Sequence, residues 1–257
     1  MNEAGAELQE AQAEAPLAQA ALPRVAYRHR LATRIWHWVN AITVFVMIMS
    51  GLMILNAHPR LYWGAYGANF DHAWIDFGRR PFPGWATIPS GYNLAAGRTW
   101  HFAFAWVLVI GLIAFLLTSL WNRHVQRDLA PKDGELAPLH LWHDVKEHAR
   151  LRFPRGEAAL RYNPLQKISY IAVIFLFLPL MILTGLAMSP SMDAAWPWLL
   201  DLFGGRQSAR SIHFIIAATI LAFIVVHLVM VALAGPINEI WSMVSGRFRV
   251  PPERSEA

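Results

Sequence analysis

Four histidines carry the chemistry open to this sequence. His37, His101, His213 and His227 each fall inside a long apolar stretch free of Asp, Glu, Lys and Arg. An ionisable side chain is expensive in a hydrocarbon layer, so each is a functional candidate by default. One alone is as readily a side chain bonded to a neighbouring helix; four in a regular pattern are not. His213 and His227 are fourteen residues apart on one stretch. At about 100° per residue they return to nearly the same helix face, ~21 Å apart along the axis. Neutral imidazole is a good ligand for transition metals. The chain has eleven His and no Cys, which removes disulfides, thiolate metal sites, Cys-held iron–sulfur clusters and covalently attached haem.

The elements that must position these residues are four apolar spans, about 35–55, 100–120, 168–188 and 212–233. Each has the ~20 residues that cross a bilayer core as a helix. The expected fold class is all-α: an integral membrane four-helix bundle. Lys and Arg set its orientation. Arg24, Arg28, Arg30 and Arg34 precede the first span, nine Lys and Arg from Arg123 to Lys167 separate the second from the third, and Arg247, Arg249 and Arg254 follow the fourth. The other two loops are poorer in basic residues, so both termini are expected in the cytoplasm.

That orientation sorts the histidines by depth. His37 opens the first span on the inner side and meets His227 there. His101 opens the second span on the outer side and meets His213. Two imidazoles at each of two depths fit bis-His ligation of two haems in a bundle core. A zinc site needs three or four ligands at one depth. Arg34, Arg98 and Arg210 each stand three residues before a histidine, on the same helix face and one turn nearer the surface. Each suits an anionic propionate, or an ordinary snorkelling role at the interface. Gly51, fourteen residues after His37, permits close backbone approach to a flat macrocycle or close helix packing. Gly185 has the same two readings.

Composition agrees with a membrane protein. The 257 residues are 56% hydrophobic and 15% charged, against roughly 45–50% and about 25% in ordinary globular chains. The net charge of +5 resides in the loops that set topology, which leaves no case for nucleic acid. Residues 1–23 form an acidic, Ala-rich segment read as a disordered tail, 24–248 the membrane domain and 249–257 a cytoplasmic tail. The outer loop 56–97 holds Pro59, Pro81, Pro83, Pro89, Trp63, Trp74 and Trp85. It reads as an ordered docking surface rather than a plain connector. Leu141, Trp142, Val145 and Ala149 predict an amphipathic inner helix over 139–153. There is a short internal repeat: Ser50-Gly51 ends the first span as Thr184-Gly185 ends the third, and Arg-x-x-His opens the second span and the fourth. The other histidines read as solvated or local, with His29 bordering the first span.

The Arg34-Ile35-Trp36-His37-Trp38 start, the Arg98-x-x-His101 opening and the paired histidines of the last span resemble the bacterial dihaem cytochrome b family. That family includes cytochrome b561 and the membrane subunits of nickel–iron hydrogenase and formate dehydrogenase. The long outer loop, with Pro89-Ser90-Gly91-Tyr92-Asn93-Leu94, is most similar to the thiosulfate-reductase-type branch, often paired with a molybdopterin oxidoreductase. The resemblance covers about 24–248. It implies two haem b groups, held by His37 with His227 and by His101 with His213, and a quinone site near the inner haem, for which Asn40 and His29 are candidates. It implies a bacterial inner membrane protein passing electrons between quinone and a periplasmic redox protein on loop 56–97. A stand-alone superoxide:quinone oxidoreductase of the same fold is the alternative, with Arg79 and Arg80 on its outer surface; a small transporter is remote. Oligomeric state is not legible.

Overall fold

The computed structural model describes residues 24–68, 70–132, 134–150 and 156–250. The acidic segment 1–23 and all but the first two residues of 249–257 lie outside them.

Four helices are long and apolar enough to cross a membrane: Leu31–Ala57, Leu94–Trp121, Gly156–Ala187 and Arg206–Ala234. They are longer than composition alone predicts, and side-chain caps start helices in two of them. The Asn93 side chain accepts the Ala96 amide at 3.0 Å and starts the second span ahead of Trp100. Asn163 and Gln166 form a reciprocal capping box with Pro164 in the first turn. That arrangement satisfies two amide donors that a bare helix start leaves open. The third span is composite. A short 3₁₀ turn at Gly156–Leu160 precedes helix Pro164–Ala172, a π-helical segment Val173–Phe177 follows, and helix Leu178–Ala187 completes it.

All four spans feed one core. Leu108, Leu112 and Phe115 from the second pack with Ile174 and Leu178 from the third and Ile216 and Ile220 from the fourth; Trp36, Val44 and Met47 of the first close over them. Large apolar side chains such as Ile42, Ile110, Leu117 and Val226 point outward and stay exposed. In water such a surface would aggregate, and in lipid it is the expected exterior.

One end of the bundle carries both described chain ends and is called here the terminal end. Val25–Tyr27 pairs antiparallel with Arg247–Arg249. Helix Pro236–Ser245, not anticipated from the sequence, follows the fourth span after Gly235, which is left-handed at φ +115°. A glycine after one helix and a proline opening the next turn the chain sharply. Helix Pro138–Ala149 covers most of the stretch predicted to be amphipathic. At the opposite, loop end, Arg60–Leu61 pairs with Ile75–Asp76, and Arg60 bonds Asp76 at 2.8 Å. Asn56 holds Phe82 through two side-chain hydrogen bonds. Trp74 Nε1 donates to Ser211 Oγ at 2.9 Å, and that hydroxyl donates to the Tyr62 carbonyl at 2.6 Å. The connection between the first two spans is thus bonded onto the fourth.

Candidate functional site

The four histidines form two pairs, one toward each end of the bundle. At the terminal end, the His37 and His227 rings lie 6.3 Å apart, centre to centre, with their planes at 56°. His37 stands two turns into the first span and His227 two turns from the close of the fourth. Phe223 stacks on His227 at 5.9 Å, and Trp38 meets His37 edge-on at 5.2 Å. Nδ1 of His37 is buried and has no hydrogen-bond partner among the described residues.

At the loop end, the His101 and His213 rings are also 6.3 Å apart, at 62°. Here the ring nitrogens are held. His101 Nδ1 lies 3.1 Å from Ser50 Oγ and 3.1 Å from the Met47 carbonyl. His213 Nδ1 lies 2.8 Å from Thr184 Oγ1. A Cβ added to Gly51 would stand 3.5 Å from His101 Cε1, and one added to Gly185 the same distance from His213 Cε1. Gly51, fourteen residues along the first span from His37, stands at the level of the other pair, against the His101 ring.

The three arginines are each engaged by the protein. Arg34 donates to the Val244 carbonyl and Arg210 to the His58 carbonyl. Arg98 is exposed, 5.6 Å over the Phe102 ring. Of the two residues named for a quinone, His29 is 5% exposed, 3.4 Å from the Tyr162 hydroxyl. Asn40 lines a shallow recess with Trp36, Thr43, Val107 and Gly111. The structure does not bring them together in any contact. Two of the remaining histidines have carboxylate neighbours: His124 pairs with Asp128 at 2.7 Å and His140 approaches Asp144 at 3.9 Å. Sequence reasoning missed the Ser50 and Thr184 hydroxyls as ring partners, although both residues had stood out as a repeat.

The donor set fits a haem. Among the described residues, no group of three or more His, Asp or Glu could hold a metal ion; the histidines come in twos. Two metal–imidazole bonds of about 2 Å each, together with the radii of the two rings, span a separation like that observed in both pairs. A tetrapyrrole brings its own equatorial nitrogens, so two axial imidazoles complete its iron.

The family model described as prokaryotic cytochrome b561 matches residues 28–246. A putative protein-methionine-sulfoxide reductase subunit YedZ1 of Azospira oryzae is 27% identical over 200 residues, covering 78% of this chain and 87% of the relative. A probable Ni/Fe-hydrogenase B-type cytochrome subunit of Cupriavidus necator is 24% identical over 236 residues, 87% and 86% of the two chains. Its namesake in Rhodobacter capsulatus is 23% identical over 217 residues, 79% and 72%. No solved structure matches. The two histidine pairs thus lie in a helical membrane protein that belongs to the prokaryotic cytochrome b561 family.

Proposed function

We propose that this chain is a dihaem b-type cytochrome subunit that moves electrons between a membrane quinone and a redox protein docked on the outer loop 56–97. The observation that carries this reading is the repeated geometry: two imidazole pairs with one centre-to-centre spacing, 6.3 Å, near opposite ends of one bundle. His37 with His227 and His101 with His213 would each hold one haem iron through their imidazole nitrogens. Arg34, Arg98 and Arg210 neutralise propionates, and the glycine at 51 admits the macrocycle edge. Bound there, two haems supply one-electron carriers at two depths. The spans exclude water, and the imidazoles fix each ligand direction.

The relatives' names support a subunit role, since one is called a reductase subunit and the other a hydrogenase cytochrome subunit. A molybdopterin-type oxidoreductase is the proposed partner class. The outer arginines favour docking over an open basic entrance: Arg60 is tied to Asp76, and Arg80 lies 4.0 Å over Tyr92. The basic terminal end faces the cytoplasm of a bacterial inner membrane, which puts quinone exchange beside His37 and His227.

The test is a pyridine haemochrome assay and a reduced-minus-oxidised spectrum of the detergent-purified chain. Two b-type haems per chain are expected. His101→Ala and His213→Ala should each keep one of the two, and His37→Ala should keep the other. A colourless protein, or equal loss of both haems from a folded His101→Ala variant, refutes the pairing.

A further inference from the structure

We infer that Ser50 and Thr184 are positioning residues: each fixes the tautomer and donor strength of one loop-end histidine, and the terminal-end His37 lacks such a device. The inference rests on the ligation proposed above.

A hydroxyl has one proton and two lone pairs. Ser50 Oγ lies 2.7 Å from the Val46 carbonyl and 3.2 Å from the Met47 carbonyl of its own helix. Both are acceptors, so the proton is committed to the preceding turn, the usual back-bond of a helical serine. The oxygen then has only a lone pair to offer His101 Nδ1, at 3.1 Å. The Met47 carbonyl, at 3.1 Å from the same nitrogen, is an acceptor too. Two acceptors around Nδ1 require the proton on Nδ1. Nε2 is left with its lone pair free for a metal.

Thr184 repeats the arrangement. Its hydroxyl lies 2.6 Å from the Leu180 carbonyl and 3.2 Å from that of Met181. Its oxygen is 2.8 Å from His213 Nδ1. The sequence shows the duplication once the contacts are known: Met47-Ile48-x-Ser50-Gly51 against Met181-Ile182-x-Thr184-Gly185. In each copy Ser or Thr supplies an oxygen and Gly lets the backbone stand against the ring edge; in the first copy the Met47 carbonyl adds a second acceptor. Ser50 and Thr184 are both fully buried, so no water competes for the nitrogen.

The other pair is built differently. Nδ1 of His37 is buried without a hydrogen-bond partner among the described residues. A hydrogen bond from Nδ1–H raises the basicity of the ligating nitrogen. A stronger donor favours the oxidised metal and lowers its potential. Both loop-end ligands carry this bias and His37 does not, so the two centres are made unequal by side chains that act through the ligands.

The experiment is a redox titration with EPR on purified protein carrying Ser50→Ala, Thr184→Val, Ser50→Thr or Thr184→Ser. His37→Ala identifies which centre is which. Ser50→Ala and Thr184→Val should raise the midpoint potential and change the EPR signal of the loop-end centre alone. The hydroxyl-bearing swaps should keep both near wild type. Loss of the loop-end haem in the first two variants, restored by the swaps, supports the same role; such contacts are worth ~10–100-fold in metal affinity. Loaded variants with unchanged potentials and spectra, a shift confined to the other centre, or a loss the swaps do not restore overturns the inference while the ligation stands. A wild-type protein without haem overturns both.

Discussion

His29 shows what a single buried side chain contributes here. It precedes the first span and is packed under Tyr162. Burial, aided by the charges of Arg28, His37, His124 and Arg34, pulls its pKa to about 4. In the unfolded chain the value returns to ~6.5. The folded state therefore holds His29 neutral, and unfolding takes up a proton between those two pH values. The stabilisation is complete above pH ~6.5 and is lost as pH falls toward 4, by about 3 kcal/mol in all. Thermal unfolding in detergent at pH 7.5 and pH 5 should show a smaller acid-induced drop in Tm for His29→Gln than for wild type. Equal drops would mean that His29 does not carry this linkage. The sequence marked His29 only as a neighbour of the first span, because the Tyr162 that covers it lies 133 positions away. The four paired histidines were legible for the opposite reason. Fourteen residues on one helix is a local spacing, and charge-free flanks fix depth. The hydroxyls that hold His101 and His213 were not legible, since a Ser or Thr near a helix end is ordinarily read as a local back-bond.

At the scale of elements, the terminal end is closed by a clasp that joins residues from the two ends of the chain. Gly246 is its tightest point. It adopts φ +81°, and its carbonyl accepts the Arg28 amide at 2.8 Å. A Cβ there would stand 2.6 Å from Tyr27 Cε2 and 2.9 Å from the His29 carbonyl. Gly246→Ala should destabilise the protein by about 1–3 kcal/mol for the left-handed backbone, with the clash added. Gly78 is the control: it has φ +77° and open space where its Cβ would go. Gly78→Ala should therefore cost the backbone part alone. Thermal melts of both variants check this, and equal losses would mean that the close approach at Gly246 carries no weight. The spans were legible because an uncharged run of about 20 apolar residues has few other fates. Their true ends were not: Asn93 and Asn163 cap helices of the second and third through their side chains, while the first and fourth start with no side-chain cap to mark them. The pairing of Val25–Tyr27 with Arg247–Arg249 has no local signature at all, and the Gly235-Pro236 turn signal went unread beside the stronger apolar run.

For the whole molecule, which end faces the cytoplasm decides which histidine pair meets which side. The terminal end gathers the basic residues, and several are already committed to the fold. Arg28 is held by Glu239 at 3.0 Å and lies over Phe248, and Lys167 is buried against Glu135 at 2.7 Å. Such ion pairs do not bear on orientation, which depends on the count of Lys and Arg flanking the spans and only weakly on acidic partners. That count, read from the sequence, is the ground for proposing that the terminal end faces the cytoplasm. Because the chain has no Cys, a single introduced thiol reports its own side. His72→Cys, exposed on the loop end, should react in intact cells with a membrane-impermeant maleimide. Ala158→Cys, exposed at the terminal end, should react only after permeabilisation. The reverse pattern would put His101 and His213 on the cytoplasmic side, and would move quinone exchange and partner docking to the opposite faces from those proposed.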